Sequence, residues 1–176
     1  NNVAPCELAF ALENGVMTSL DSLSQLELFG EVCNQMEIAP ENRKCAVRIN
    51  PGVGAGHHEK VVTGGKKTKF GIAEYSIPQI FEIAEKYQIT IAGINQHIGS
   101  LFMDPQPYLD AVTNLLRIAH QFKNLEFIDF GGGYGIPYHK LDDEKDFPME
   151  DFKARLEPIL DEFVASYGKA PLFKSE

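Results

Sequence analysis

The protein has 176 residues, the length of one domain, and 16 Lys plus Arg against 25 Asp plus Glu give a formal charge of −9. That acidic balance argues against nucleic acid or an anionic membrane surface as a partner. Hydrophobic residues make up 44% of the chain, the share of an ordinary soluble domain, and no apolar run reaches the roughly 18 residues of a membrane helix.

The opening NNVAPC lacks an initiating Met and the regions of a signal peptide, which suggests a start inside a longer protein. Period and punctuation then predict a helix at Glu7 to Glu13, a strand at Val16 to Asp21, a helix at Ser24 to Met36 and a strand at Cys45 to Asn50. A long Gly- and Lys-rich loop follows at Pro51 to Gly71, which suits a mobile segment over the site whose Lys66, Lys67 and Lys69 meet an acidic substrate or a second subunit. Next come a helix at Ile77 to Tyr87, a strand at Thr90 to Gln96 and a helix at Tyr108 to Phe122, where Leu109, Val112, Leu115, Leu116 and Ala119 form one apolar face. A strand at Leu125 to Phe130, an acidic loop at Pro137 to Pro148, a helix at Met149 to Tyr167 and a strand at Pro171 to Glu176 complete the series. Strands alternating with helices specify an α/β fold with a parallel sheet. Length alone favours an open doubly wound sheet over a closed (β/α)8 barrel of about 250 residues. Cys6, Cys33 and Cys45 are odd in number and show no CxxC spacing, which fits a reducing, cytoplasmic setting.

Three strand ends carry chemistry. Phe127 to Phe130 runs straight into Gly131-Gly132-Gly133-Tyr134-Gly135, where backbone without side chains can close around a phosphate. A tight turn explains a generic Gly pair, but a triple Gly followed by x-Gly is harder to explain by turn geometry alone. The run Gly93 to Ser100 ends in His97, Gly99 and Ser100, and in a parallel sheet its end shares a rim with the glycines. Arg48 stands inside the otherwise apolar strand at Cys45 to Asn50, so a central position there demands an anion or an acceptor beside it. Other motifs fail on spacing: Lys60 occupies the first Gly position of a phosphate-binding loop before Gly65-Lys66, His57-His58-Glu59 cannot share one helix face, and Phe147 stands where a calcium loop after Asp142 needs Gly.

Taken together, Arg48-Ile49-Asn50-Pro51-Gly52-Val53, Gly56-His57-His58, Thr63-Gly64-Gly65, Lys69-Phe70-Gly71-Ile72, His97-Ile98-Gly99-Ser100 and Gly131-Gly132-Gly133 resemble the ordered motifs of the pyridoxal-phosphate decarboxylases with an alanine-racemase-like barrel. The spacer before Lys69 and the wording His97-Ile98-Gly99-Ser100 are most similar to the diaminopimelate decarboxylase branch, rather than the ornithine decarboxylases. The resemblance implies that residues 1–176 are a partial (β/α)8 barrel domain, about the last five βα units, without the C-terminal β-domain. It implies pyridoxal 5'-phosphate as cofactor, a small amino-acid substrate, conversion of meso-2,6-diaminopimelate to L-lysine and carbon dioxide, and a homodimer of the full-length protein. It places the Schiff-base lysine upstream of Asn1, so no catalytic residue is assigned and the chain alone is expected to be inactive. His97 would stack on the pyridine ring, Ser100 and Gly131, Gly132 and Gly133 would hold the phosphate, Arg48 would lie near the ring, and Glu176 would face the ring nitrogen. The alternatives are a non-catalytic cofactor- or phosphate-binding homologue, an ornithine- or arginine-type decarboxylase, and an unrelated open α/β phosphate-binding domain.

Overall fold

Short apolar strands separated by longer amphipathic helices leave a parallel sheet as the arrangement that buries every apolar face. The computed structural model, which describes residues 3–50, 52, 70–137 and 145–176, shows that arrangement. The strands are β1 (Ser19–Leu20), β2 (Lys44–Arg48), β3 (Thr90–Asn95), β4 (Phe127–Asp129) and β5 (Leu172–Lys174). All neighbouring pairs are parallel and the spatial order is β1-β2-β3-β4-β5. Strands in sequence order, without a reversal, form an arc of a barrel rather than a doubly wound sheet, so the length-based preference gives way to the motif-based one.

The helices are α1 (Pro5–Glu13), α2 (Leu23–Gln35), α3 (Ile77–Tyr87), α4 (Gln106–Ala119) and α5 (Met149–Tyr167). The apolar stripe expected in α4 is buried in full: Leu109, Val112, Leu115, Leu116 and Ala119 all lie in the core. Ser22 caps α2, its Oγ accepting from the Gln25 N–H at 3.3 Å. Two short 3-10 turns, Pro40–Asn42 and Glu74–Ser76, were not expected from periodicity. The strands at the open edges are shorter than the sequence suggests, because a ladder needs a partner: Val16 and Met17, expected in the first strand, are exposed and precede β1. Among the described residues no helix is long and apolar enough to cross a membrane.

Register decides which side chains face the barrel interior. Leu20, Val47, Ile94, Ile128 and Phe173 pair in one row, and the first four are fully buried in the core. One residue further, on the opposite face of each strand, Arg48, Asn95, Asp129 and Lys174 form the next row. This polar row lies just below the carboxyl ends of the strands, where parallel α/β folds place their sites. Most of the loop at Pro51 to Gly71 and part of that at Pro137 to Pro148 lie outside the described residues, as do His57, His58, Glu59, Lys66, Lys67, Lys69 and Asp142.

Candidate cofactor site

The glycine run begins where β4 ends, and its conformation requires glycine. Gly131 and Gly133 have φ of 72° and 107°, values that residues with a Cβ rarely adopt. A Cβ on Gly131 would lie 2.5 Å from the Gln96 carbonyl oxygen, and one on Gly133 would lie 2.0 Å from that of Gly99. The glycine run therefore packs directly on the run from Gln96 to Ser100, and the two strand ends that the sequence singled out meet at one rim. A parallel bridge between Phe102 and Tyr134 clips them together, with the Phe102 N–H donating to Gly133 O at 3.2 Å and the Gly135 N–H to Phe102 O at 2.9 Å.

Backbone donors remain at this junction. The Gly131 N–H is occupied, donating to Asp129 Oδ1 at 2.8 Å. Among the described residues nothing accepts from the N–H groups of Gly132, which is buried, or of Gly133, which is half-buried. Buried backbone donors are nearly always paired, so two adjacent ones without an internal acceptor fit an anion such as a phosphate. The half-buried Ser100 lies beside them, its Cα 3.0 Å from where a Gly133 Cβ would sit.

His97 is half-buried against the turn, its Nδ1 3.0 Å from a Cβ built on Gly131. Burial, reinforced by repulsion from Arg48 and opposed by Glu176 and Asp129, pulls its pKa below the ordinary imidazole value. The shift favours the neutral imidazole. The Glu176 backbone reaches the same turn, with its N–H donating to Gly131 O at 3.2 Å.

Arg48 meets the acceptor that its position demanded. Its guanidinium Nη1 lies 3.6 Å from Asp21 Oδ1, and both side chains are largely buried. It also sits over the Phe70 ring at 5.1 Å. Burial lowers the Arg48 pKa, while Asp21 and Glu176 act in the opposite sense. Asp21 Oδ1 additionally accepts from the Gly71 N–H at 3.1 Å, and the Ile72 N–H donates to Arg48 O at 2.8 Å. The end of the long loop is thus pinned to the rim by the Asp21–Arg48 pair, a role of Asp21 that the sequence reading missed. A second omission is the aromatic cluster of Phe102, Tyr108, Tyr134, Phe147 and Phe152, whose neighbouring rings lie 5.3–5.8 Å apart and support the rim from the helix side. Its members are scattered over two loops and two helices, so no periodicity announces it. Among the described residues no group of three His, Cys, Asp or Glu side chains is placed to hold a metal.

Residues 3–173 match the family described as pyridoxal-dependent decarboxylase, pyridoxal binding domain. The chain is 40% identical over 173 residues to the diaminopimelate decarboxylase of Methanothermobacter thermautotrophicus, covering 96% of this chain and 39% of the relative. It is 32% identical over 147 residues to that of Haemophilus influenzae, covering 80% of this chain and 34% of the relative. The chain thus spans well under half the length of the curated relatives it matches. Its fold is similar to that of the Helicobacter pylori diaminopimelate decarboxylase solved with L-lysine, with a TM-score of 0.84 and 24% identity over 98% of this chain and 42% of the other. The diaminopimelate decarboxylase from M. jannaschii gives a TM-score of 0.80 and 26% identity over 98% and 40% of the two chains.

Proposed function

Because this chain belongs to the pyridoxal-dependent decarboxylase family, we propose that the polypeptide carrying it converts meso-2,6-diaminopimelate to L-lysine and carbon dioxide, with pyridoxal 5'-phosphate as cofactor. What carries the reading is the pair of N–H groups at Gly132 and Gly133 without an acceptor among the described residues, set beside Ser100 and His97 and against the backbone of Glu176. The Gly132 and Gly133 N–H groups and the Ser100 hydroxyl would hold the phosphate, while Gly131 shapes the turn because its own N–H is already engaged. His97 covers one face of the ring and leaves the other to substrate. Glu176 holds a carboxylate beside the ring nitrogen and keeps it protonated. Arg48, which faces Asp21 at 3.6 Å and is within electrostatic reach of Glu176, adds a positive charge on the same side of the site. When bound, pyridoxal phosphate supplies an electron sink for the pair released as carbon dioxide departs.

The isolated 176 residues are inactive on this reading, since the cofactor-linking lysine lies in the preceding part of the barrel. The full-length polypeptide is a cytoplasmic homodimer, a reading supported by the buried free thiols of Cys33 and Cys45 and by the family resemblance. The test supplies the full-length polypeptide with pyridoxal phosphate and, separately, meso-diaminopimelate, L-ornithine and L-arginine, and measures carbon dioxide. Release from diaminopimelate alone is expected. Release from ornithine or arginine instead moves the substrate assignment, and release from none of the three favours the non-catalytic homologue.

A further inference from the structure

The carbonyl of Gly131 is held by an unusual concentration of donors. The Tyr108 hydroxyl donates to it at 3.1 Å, the Ser175 Oγ at 3.0 Å and the Glu176 N–H at 3.2 Å. The Tyr134 hydroxyl lies 2.9 Å from Ser175 Oγ, and Tyr108 is 3.2 Å from the same oxygen. Each hydroxyl has one proton. With the Tyr108 and Ser175 protons both spent on Gly131 O, the contact between Tyr134 and Ser175 is satisfied when Tyr134 donates. Two hydroxyls, from α4 and from the residue after β5, thus converge on one peptide oxygen, and a third, from the glycine loop itself, braces Ser175.

In a trans peptide the carbonyl and the following N–H point in opposite directions. Pinning Gly131 O toward Tyr108 and Ser175 therefore turns the Gly132 N–H away from them, and Gly132 is one of the two donors that nothing in the described structure engages. A glycine turn has few intrinsic preferences, so its peptide planes rotate unless something outside holds them. We propose that Tyr108 and Ser175, relayed by Tyr134, are positioning residues that fix the Gly131–Gly132 peptide so that its N–H is presented to the cofactor phosphate. Tyr108 is buried, and burial raises its pKa, so its phenol stays a donor throughout the neutral range. The proposal rests on the pyridoxal phosphate site argued above.

The experiment compares two ligands in the full-length polypeptide: pyridoxal phosphate and pyridoxal, which lacks the phosphate. The affinity ratio of the two isolates the phosphate contribution. Tyr108→Phe and Ser175→Ala are each expected to weaken pyridoxal phosphate about fivefold to tenfold, the effect of one hydrogen bond, and to change pyridoxal less than about twofold. Ser175→Thr, which keeps the hydroxyl, should restore the native ratio. Ser175 is exposed, so its variants carry the test if Tyr108→Phe lowers stability. A native protein that prefers pyridoxal phosphate, together with Ser175 variants whose ratio is unchanged, overturns the positioning role alone. A native protein that does not distinguish the two ligands overturns the phosphate site and the positioning role together.

Discussion

Asp21 offers the sharpest perturbation of the rim, because one carboxylate oxygen does two things. It faces Arg48 at 3.6 Å, and it accepts from the Gly71 N–H at 3.1 Å. At that separation and an effective dielectric of about 20, the gross attraction is about 4–5 kcal/mol. Desolvation of two side chains that keep only 17% and 14% of their exposure offsets much of it, leaving a net of about 1–2 kcal/mol. The hydrogen bond to Gly71 adds about 1 kcal/mol. Asp21→Asn removes the charge and keeps an acceptor oxygen, whereas Asp21→Ala removes both. Hydrogen exchange at Gly71 and Ile72 reads the effect locally, since their N–H groups are held by Asp21 and by the Arg48 carbonyl. Asp21→Asn should lower the local opening free energy by about 1–2 kcal/mol and Asp21→Ala by about 2–3 kcal/mol. Combined with Arg48→Met in a double-mutant cycle, Asp21→Asn should show a coupling above about 0.5 kcal/mol. Additive effects of the two substitutions would refute the pairing.

Gln96 is buried, and both polar atoms of its side chain are without a partner among the described residues. Gln96→Met, nearly isosteric and apolar, should therefore stabilise the protein by about 1–3 kcal/mol, and a lower thermal midpoint would contradict that. His97 titrates below its ordinary value, so the stability that its neutral ring contributes is complete above about pH 6.5 and is lost as the pH falls below it. Its NMR midpoint should rise in Arg48→Met, because repulsion from Arg48 is a cause of the depression, and an unchanged midpoint would remove Arg48 from that account. Gly133→Ala sets a Cβ 2.0 Å from Gly99 O at a φ of 107°, so pyridoxal phosphate binding to the full-length polypeptide should fall at least tenfold, and native affinity would show that the turn tolerates a side chain. The 176-residue arc expressed alone has two open sheet edges and leaves Leu172 62% exposed. It should self-associate in a concentration-dependent manner during sedimentation, whereas a monodisperse, cooperatively melting monomer would speak against an incomplete barrel.

Much of the fold was legible because strand and helix periods differ so clearly in this chain. The helix Met149–Tyr167 and the helix Ile77–Tyr87 fall where periodicity puts them, and all five strands overlap their expected spans. The convergence of Gly131 to Gly133 with His97 and Ser100 followed from the parallel sheet alone, since all carboxyl ends of its strands lie on one rim. What stayed hidden depends on tertiary register. Asp21 follows the two-residue strand β1 and carries no motif, and its meeting with Arg48 requires β1 to pair with β2 in the observed register. Tyr108 lies on the apolar face of α4 and reads from sequence as core. Only the approach of Ser175 and Gly131 gives its hydroxyl a task. The expected mobile role of the loop at Pro51 to Gly71 concerns residues mostly outside those described, although its last residues, Phe70 and Gly71, are held by Arg48 and Asp21.

The most direct measurement is a structure of the full-length polypeptide with pyridoxal phosphate bound. Phosphate oxygens are expected within hydrogen-bond distance of the Gly132 and Gly133 N–H groups and the Ser100 hydroxyl, with the His97 ring stacked on the pyridine and the Glu176 carboxylate beside its nitrogen. A phosphate held elsewhere, with the glycine run facing only solvent, would contradict this arrangement.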